Sequence, residues 1–494
     1  MPELKPVRVR FAPSPTGHVH LGSARTALYD FLIARKTGGQ FILRIEDTDR
    51  KRYVPGAEEE LINSLRWLGI EWDEGPDVGG SYGPYRQSER KGIYLKYADE
   101  LIEKGHAYPC FCSPEHLAEV RQEKQKRKEA PHYDGMCRWL SPEESRERVR
   151  SGEKYVVRFK SPKEGTTVVH DLLRGAIEFD NKNMDDFILV KSDGWALYHL
   201  AAIVDDHLMK ISHVIRGSEW LPTSPLHGLI WRAFGWDEPV WVHLSVFLKP
   251  SGKGKMSKRE AAQLSKDGYS IFVKELEDLG YLPEAVNNWT ALMGWSYDDR
   301  TEFFTMPDLI EKFSLEKLNP SPAAINFSKL DHFNKLHINN LPDNELAKRI
   351  YPFFVKEGIA PDKNKLEAII PAIKDRITTL DDSVEKCRFL FTDEIEMDAE
   401  ALGIKGMDRK QSLRVAEDMA VRFGEMDEWT VQTLEENIQR YMDEKDLSPG
   451  QLLGFIREAV SGQRVTPPLY ESLEVLGKEK AQERIRVAVA LLSK

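Results

Sequence analysis

Two segments of this sequence carry residue types suited to binding phosphate groups. The first, Ala12 to Gly22, places two glycines and two histidines directly before a helix-like pattern. Gly17 and Gly22 allow backbone to approach a ligand closely, and the following helix offers free N–H groups and a positive dipole end to an anion. His20 is placed to donate a hydrogen bond to such an anion. An ordinary Pro/Gly turn is the alternative, and a metal site at His18 and His20 lacks a third ligand nearby.

The second segment is Lys255-Met-Ser-Lys258-Arg259, which follows two glycines and two further lysines. There is no acidic residue from Lys249 to Arg259. Flexible, glycine-flanked lysines can close over a triphosphate and stabilise the charge that develops on a leaving pyrophosphate. A solvated basic loop is the alternative explanation, and neither segment is specific when taken alone.

The elements around the first segment predict an α/β fold. A β-branched run predicts a strand at 7–11, and helical spacing of apolar residues predicts a helix at 23–35. A second strand at 39–45 and a second helix at 57–68 follow. Strand, glycine loop, helix and strand are typical of a doubly wound, Rossmann-type sheet, which binds ligands at the carboxyl ends of its strands.

The remaining patterns predict four regions. The α/β Rossmann-type catalytic domain comprises 1–96 and 197–250, with its glycine loop at 13–23, and an α+β insertion occupies 97–196. A third region, 251–330, begins with the basic loop 255–259, and an all-α region of two helical subdomains fills 331–494. Helices are expected at 283–293, 342–355, 366–380 and 432–446, and Pro352 is expected to kink or end the second of these.

The composition excludes several classes of protein. The 494 residues suggest three or four domains, and four cysteines do not make a disulfide scaffold. We see no apolar signal segment, and the longest apolar stretch, 240–248, is too short to span a bilayer, so we expect a cytoplasmic protein. A net charge of −10 argues against a general nucleic-acid coat protein but not against an enzyme with a local basic surface.

In this order, the two segments resemble the HIGH and KMSKS motifs of class I aminoacyl-tRNA synthetases. The strings Arg44-Ile-Glu-Asp-Thr-Asp-Arg50, Val204-Asp-Asp-His-Leu-Met209 and Val214-Ile-Arg216 narrow the resemblance to the bacterial glutamyl-tRNA synthetases. It covers essentially the whole chain and is strongest over 7–330. The resemblance implies activation of L-glutamate by ATP, with Mg²⁺, to glutamyl-adenylate and pyrophosphate. Transfer of glutamate to the 3'-terminal ribose of tRNA(Glu) follows.

The resemblance also implies roles for individual residues. A dianionic amino acid needs two cations, and its ammonium group needs an acid. Arg10 is expected to bind a substrate carboxylate, Ser14 and Glu46 the α-ammonium, and Tyr198 and Arg216 the side-chain carboxylate. The glutamate site is then Arg10, Ala12, Ser14, Glu46, Tyr198 and Arg216; the ATP site is His20, Gly22, Trp220 and Lys258; the catalytic residues are His20, Lys255 and Lys258.

Arg216 is the residue expected to select glutamate, because the similar glutaminyl enzymes handle a neutral amide and lack an arginine there. A structural salt bridge is the alternative role for Arg216. Ala202 departs from the family pattern, since some bacterial members carry asparagine at this position. Tyr198 and Ala202 are four residues apart and would share one helix face, so one hydrogen bond to the substrate is expected to be missing or replaced by water.

The spacing of Cys110, Cys112 and Cys137 resembles the zinc knuckle of some bacterial glutamyl-tRNA synthetases. A tetrahedral structural zinc requires four sulfur or nitrogen ligands, but the usual histidine is replaced here by Trp139. Tyr133 is the preferred substitute, as in a related truncated paralogue, and His116 and His132 are weaker choices. Three reduced cysteines near a turn are the alternative.

The resemblance further implies tRNA as a partner and a monomeric enzyme. The insertion would contact the acceptor stem of the tRNA, and the region 251–330 would also contact the stem. The all-α region would contact the anticodon. The basic run 121–128 would meet phosphates of the acceptor stem or form a solvated helix face. A non-discriminating enzyme that also charges tRNA(Gln) and a glutamyl-queuosine-tRNA synthetase-like paralogue remain alternatives. A non-catalytic scaffold would be expected to have lost His20, Glu46 or Lys258.

Overall fold

The chain forms one α/β unit and one α-helical unit, which confirms the predicted fold class. The computed structural model describes residues 5–49, 54–254, 260, 263–264 and 268–494. The first compact unit is Met1–Glu275 with Asn287–Asn326, and the second is Leu276–Val286 with Phe327–Lys494. None of the helices described there combines the length and apolar character needed to cross a membrane.

The first half of the α/β unit follows the predicted order of strand, loop, helix and strand. Its elements are β1 (Arg8–Phe11), α1 (Leu21–Thr37), β2 (Gln40–Leu43), α2 (Ala57–Trp67), α3 (Lys91–Glu103), β3 (Ala107–Cys110), α4 (Pro114–Lys126) and α5 (Pro142–Arg150). Helix α1 ends at Gly38, which adopts the left-handed conformation with a φ of 64° that glycine accepts without strain.

The chain then returns to the sheet and continues into short elements, and residues Leu276–Val286 among them belong to the second unit. These are β4 (Val156–Phe159), β5 (Thr166–Asp171), β6 (Gly175–Asp180), β7 (Ile188–Val190), α6 (Tyr198–Leu208), β8 (His213–Gly217), α7 (Ser224–Phe234), β9 (Val240–Leu244), β10 (Phe247–Leu248), α8 (Val273–Asp278), α9 (Pro283–Leu292), α10 (Met306–Lys312) and β11 (Ala323–Ala324).

Parallel pairing brings the carboxyl ends of several strands to one edge. Strands β1 and β2 are parallel, and β8 and β9 are parallel with Arg216 opposite His243. The backbone N–H of Ser212 donates to the Arg8 carbonyl over 2.8 Å, which puts the start of β8 beside β1. Arg10 and Arg216 each lie near the end of a strand, so this arrangement positions both arginines at the same edge of the sheet.

The region predicted as an insertion contains two kinds of sheet. Strands β3, β4 and β7 form an antiparallel sheet of their own, whereas β5 pairs with both β6 and β9. Asp171, the last residue of β5, lies opposite Trp241 of β9. A side chain from the predicted insertion therefore reaches the sheet that carries Arg216, and the predicted limits 97–196 stay a prediction.

Helices α6 and α7 cover this sheet with apolar side chains. Leu200, Val204, Ile230 and Trp231 are all buried in one core cluster with Val214 of β8. Burying a large apolar side chain contributes about 1.5–3 kcal/mol, so this layer holds the strands that carry the charged residues.

The second unit is built from helices. Its remaining elements are α11 (Phe327–Asn340), α12 (Asp343–Lys356), α13 (Lys363–Ile373), α14 (Asp382–Phe391), α15 (Arg409–Glu425), α16 (Val431–Lys445), α17 (Pro449–Ser461), α18 (Leu469–Leu476) and α19 (Lys478–Ser493). Reciprocal capping boxes, such as Asp408 with Gln411, satisfy backbone groups at several N-termini.

The expected end of α12 at Pro352 is wrong, because the helix continues to Lys356. Pro352 is exposed, and so is Lys348, whose carbonyl loses its usual N–H partner to the proline ring. Ile350 and Phe354 on the opposite side are fully buried. The lost hydrogen bond therefore faces water, while packing on the buried face holds the helix together.

Candidate active site

A cavity of about 970 Å³ opens at the sheet edge where β1 and β8 end. Most of the residues predicted for the glutamate and ATP sites line it: Arg10, Ala12, Ser14, His20, Gly22, Glu46, Tyr198, Arg216 and Trp220. They come from β1, the following loop, α1, the segment after β2, α6, β8 and the helical turn that follows β8. Lys255 and Lys258 lie outside the described residues.

Arg10 and Arg44 share one buried carboxylate. The Arg10 Nε donates to Asp206 Oδ1 over 3.0 Å, and Arg44 Nη1 donates to the same oxygen over 2.7 Å. Arg44 Nη2 donates to Glu46 Oε1 over 3.0 Å, and Asp205 lies 3.8 Å from Arg44 Nε. Asp206 thus fixes the position of Arg10 from behind, and Arg44 links it to Glu46.

The two carboxylates of this network respond differently to their surroundings. Burial opposes ionisation of Asp206, but the charges of Arg10 and Arg44 outweigh it and lower the pKa of this carboxyl. For Glu46, burial dominates over the attraction of Arg44 and raises the pKa. A buried carboxylate that is costly to ionise gains when a cation binds beside it, which suits Glu46 to an ammonium ligand.

Arg216 is held by neutral side chains. It donates from Nε to His243 Nε2 over 3.0 Å, and from Nη1 to His227 Nδ1 over 2.9 Å and to the Tyr198 hydroxyl over 3.3 Å. Its third nitrogen, Nη2, is buried and has no hydrogen-bond partner among the residues that the structure describes. In the part of the chain that the structure describes, no carboxylate lies within ion-pair distance of Arg216, which argues against the structural salt bridge considered from the sequence.

Aromatic rings form a wall next to this arginine. The rings of Tyr198 and Trp220 lie 4.4 Å apart at 35°, and the Arg216 guanidinium lies 5.1 Å from the Trp241 ring centroid. Burial raises the pKa of Tyr198, so its hydroxyl remains protonated and can donate to a ligand oxygen. Ala202, one turn further along α6, is buried but is not part of the lining that the structure describes.

His20 forms the N-cap of α1. Its Nδ1 accepts a hydrogen bond from the Gly22 backbone N–H over 2.8 Å, so a neutral imidazole carries its proton on Nε2. A Cβ at position 22 would lie 3.1 Å from the His20 ring, which explains the glycine. The ring nitrogen that carries the proton is therefore a donor at the N-terminus of a helix, where anions bind.

Three thiols lie together at the end of β3, where they form a second site. Cys110, Cys112 and Cys137 place their sulfur atoms within 4.8 Å of one another. The Tyr133 hydroxyl lies 3.4 Å from the Cys110 sulfur and 3.3 Å from the Cys112 sulfur. A hydrogen bond from Cys137, helped by one from Tyr133, lowers the pKa of Cys110 to about 4. A thiolate within a compact donor cluster fits a zinc ion.

Other predicted ligands lie around these thiols. His116 and Asp134 lie 2.8 Å apart and form a cluster with Cys112 that also falls within 4.8 Å. Trp139, at the usual histidine position, is 78% exposed and makes cation–π contacts with Arg138 and Lys160. Tyr133 is therefore the predicted substitute nearest to the three thiols, and His116 with Asp134 offers a second set of donors.

Sequence reasoning missed several residues that hold the arginines of the main cavity in place. It gave Asp206 no role and did not single out His227, His243 and Asp171, which bond Arg10, Arg216 or each other. A charge inside an apolar run, as in Ile203-Val-Asp-Asp206, was the available signal for Asp206. The histidines carry no such signal, because their partners lie on other elements.

Comparisons with known proteins agree over the whole chain. The family described as "tRNA synthetases class I (E and Q), catalytic domain" matches residues 6–332, and "Anticodon binding domain" matches residues 345–489. A glutamate–tRNA ligase of Dehalococcoides mccartyi is 44% identical over 99% of this chain and 98% of its own. A glutamate–tRNA ligase of Roseiflexus castenholzii is 43% identical over 99% of this chain and 97% of its own.

Solved structures give the same result. A glutamate tRNA ligase from Elizabethkingia meningosepticum, crystallised in complex with its amino acid, superposes with a TM-score of 0.89 at 36% identity. That match covers 98% of this chain and 99% of the other. A glutamate-tRNA synthetase from Elizabethkingia anophelis gives a TM-score of 0.86 at 36% identity, with 98% and 100% coverage.

Proposed function

Because this chain belongs to the family of class I tRNA synthetases for glutamate and glutamine, we propose that its main cavity activates glutamate with ATP. Its activity is that of a glutamate–tRNA ligase, which joins glutamate to tRNA at the expense of ATP. The observation that carries the proposal is one cavity whose lining includes the buried arginines Arg10 and Arg216, a buried glutamate and an N-capping histidine.

The amino acid would bind between Arg10, Glu46 and Arg216. Arg10 faces one carboxylate of the substrate while Asp206 holds its Nε from behind. Glu46, with Ser14, receives the α-ammonium, whose charge favours the ionised form of this carboxyl. Arg216, whose Nη2 has no hydrogen-bond partner among the described residues, receives the side-chain carboxylate, and Tyr198 supports the same oxygen atoms.

The triphosphate would lie against the N-terminus of α1. His20 donates from Nε2 to phosphate oxygens, with Gly22 leaving room for them and Trp220 forming part of the wall. The substrate carboxylate attacks the α-phosphorus and pyrophosphate leaves, so positioning and electrostatic stabilisation supply most of the catalysis. Lys255 and Lys258 would stabilise the leaving group. Mg²⁺ that arrives with ATP neutralises phosphate charge.

The cysteine cluster would hold a structural zinc ion. Cys110, Cys112 and Cys137 supply thiolates, and Tyr133 or His116 supplies the fourth ligand. A closed four-ligand zinc site ties segments of the chain together and leaves no position open for a substrate. The ion would stabilise the fold of this region and take no part in the reaction.

The partner is tRNA, and we assign the regions of the chain to its parts. The 97–196 region would contact the acceptor stem, 251–330 the stem, and the helical region 331–494 the anticodon. Helix α4 has no buried residue, so its basic side chains are available to phosphates. The enzyme would act as a cytoplasmic monomer. The match to the anticodon-binding family disfavours the glutamyl-queuosine-type paralogue, which lacks that half.

Transfer of labelled glutamate to separate tRNA(Glu) and tRNA(Gln) transcripts, with ATP and Mg²⁺, tests the proposed function. Charging of tRNA(Glu) alone indicates a discriminating enzyme, and charging of both indicates the non-discriminating alternative. A chain that charges neither transcript, while remaining folded and supplied with competent tRNA, would refute the proposal.

A further inference from the structure

Five side chains form a continuous hydrogen-bonded path behind the cavity. Asp171 Oδ2 lies 2.7 Å from His243 Nδ1, and His243 Nε2 lies 3.0 Å from Arg216 Nε. On the other side, Arg216 Nη1 lies 2.9 Å from His227 Nδ1, and His227 Nε2 lies 2.9 Å from His199 Nδ1. Asp171, His243, Arg216 and His227 are all buried.

The arginine fixes the protonation of its neighbours. A guanidinium can only donate, so His243 Nε2 and His227 Nδ1 must both accept. Each neutral ring then carries its proton on the other nitrogen. His243 donates from Nδ1 to Asp171, and His227 donates from Nε2 to His199.

Burial supports the neutral state of both rings. Burial, opposed by the carboxylate of Asp171, lowers the pKa of His243. Burial and the charge of Arg216 place the pKa of His227 well below its ordinary value. Protonation of either ring would turn an acceptor into a second donor facing the guanidinium.

We propose that Asp171 and His243 are positioning residues that aim Arg216 at the side-chain carboxylate of the substrate. This inference rests on the function proposed above and names two residues that would set its preference for glutamate. Asp171 keeps the His243 proton on Nδ1, so Nε2 accepts from Arg216 Nε and fixes the plane of the guanidinium. Because the direct partners of Arg216 are uncharged, its positive charge is left for the ligand, and its buried Nη2 has no hydrogen-bond partner among the described residues.

The geometry of Asp171 makes an amide a poor replacement. Asp171 Oδ2 accepts from the backbone N–H and from Nδ1 of His243, and Oδ1 accepts from the Leu173 N–H over 3.0 Å. An asparagine has one acceptor oxygen, so its NH₂ group must face at least one of these donors. If the asparagine NH₂ donates to Nδ1 of His243, the proton of the His243 ring moves to Nε2. That N–H then faces the N–H of Arg216 Nε, so two donors oppose each other.

The test compares Asp171→Asn and His243→Leu with the full wild-type chain in charging of tRNA(Glu) at varied glutamate and ATP. Misaligning a charged hydrogen-bond donor is expected to raise the KM for glutamate about tenfold, with the KM for ATP little changed. Glutamine is expected to compete better, so the ratio of its inhibition constant to the KM for glutamate should decrease. His243→Gln, which keeps an acceptor oxygen at the reach of Nε2, is expected to restore most of the lost affinity.

His213→Leu is the matched control, because His213 lies on the same strand as Arg216 and its ring bonds Ser212 instead. Thermal unfolding of each variant separates misfolding from mispositioning. An unchanged KM for glutamate in folded Asp171→Asn would overturn the inference, as would failure of His243→Gln to improve on His243→Leu. A wild-type chain that charges no tRNA would instead refute the proposed function.

Discussion

Replacement of Arg216 by alanine tests the electrostatic basis of the site. Arg216 is 5% exposed and has no carboxylate partner among the described residues, so a bound side-chain carboxylate would be its main counter-charge. Removing one partner of a buried, hydrogen-bonded charge pair costs about 2–5 kcal/mol. Since about 1.4 kcal/mol is a factor of ten, Arg216→Ala is expected to lower kcat/KM for glutamate by about 30- to 5,000-fold.

The assay is tRNA(Glu) charging at varied glutamate and at varied ATP. The loss should appear in the glutamate dependence, while the KM for ATP changes little, because His20 and Gly22 line another part of the cavity. Arg232→Ala is the control, since Arg232 sits on α7 and pairs with Glu238 at the surface. A folded Arg216→Ala enzyme with a kcat/KM for glutamate within threefold of the wild type would refute the reasoning.

Three further results are expected. Protein purified without chelator should contain about one zinc per chain, and Cys137→Ser should lower both zinc content and melting temperature; a wild type with far less than one zinc would contradict the site. Burial and the charge of Arg216 lower the pKa of His199 to about 4. The unfolded chain therefore binds more protons than the folded chain between pH 6.5 and 4. The contribution of His199 to the free energy of unfolding has its full value above pH 6.5 and decreases as the pH falls. At pH 5 the loss is about 2 kcal/mol, and denaturant unfolding of His199→Gln should show a weaker pH dependence. Asp206→Asn should destabilise the fold by about 3–5 kcal/mol in denaturant titrations, because it leaves two buried arginines short of a counter-charge; a loss below 1 kcal/mol would argue against the shared pair.

The local structure around the glycine loop was predictable from the sequence. Apolar residues at helical spacing marked α1, and β-branched residues marked β1, with bounds that differ by one or two residues from the structure. His20 and Gly22 were predicted to lie at the N-terminus of a helix, and the structure places them there, because an N-terminal helical turn and its cap are determined by neighbouring residues. Such features depend on short-range geometry, which a sequence pattern records directly.

The residues that hold the arginines in place were not predictable in the same way. Arg10 and Asp206 are 196 residues apart, and Arg216 and His243 meet through strand register across 27 residues. No local pattern states which strands pair or in which register, so a buried acceptor such as His243 resembles any core residue. Pro352 illustrates the reverse problem, since packing of its neighbours on the buried helix face overrode an unfavourable local residue.

Arg10, its neighbour Arg44 and Arg216 differ in how their charges are balanced. Arg10 and Arg44 share Asp206, and Arg44 also meets Glu46, so the free protein already compensates part of their charge. Among the described residues, Arg216 meets only neutral acceptors. The cost of burying its charge is therefore incurred when the protein folds, and a carboxylate ligand gains the attraction without any further loss of arginine solvation. At a separation of about 3 Å and an effective dielectric constant of 20, that attraction is roughly 5 kcal/mol before the ligand's own desolvation. An amide would receive only a fraction of it and would present an NH₂ donor to a cationic donor. We therefore expect a site of this kind to select glutamate over glutamine, because one charge is left unpaired in the protein.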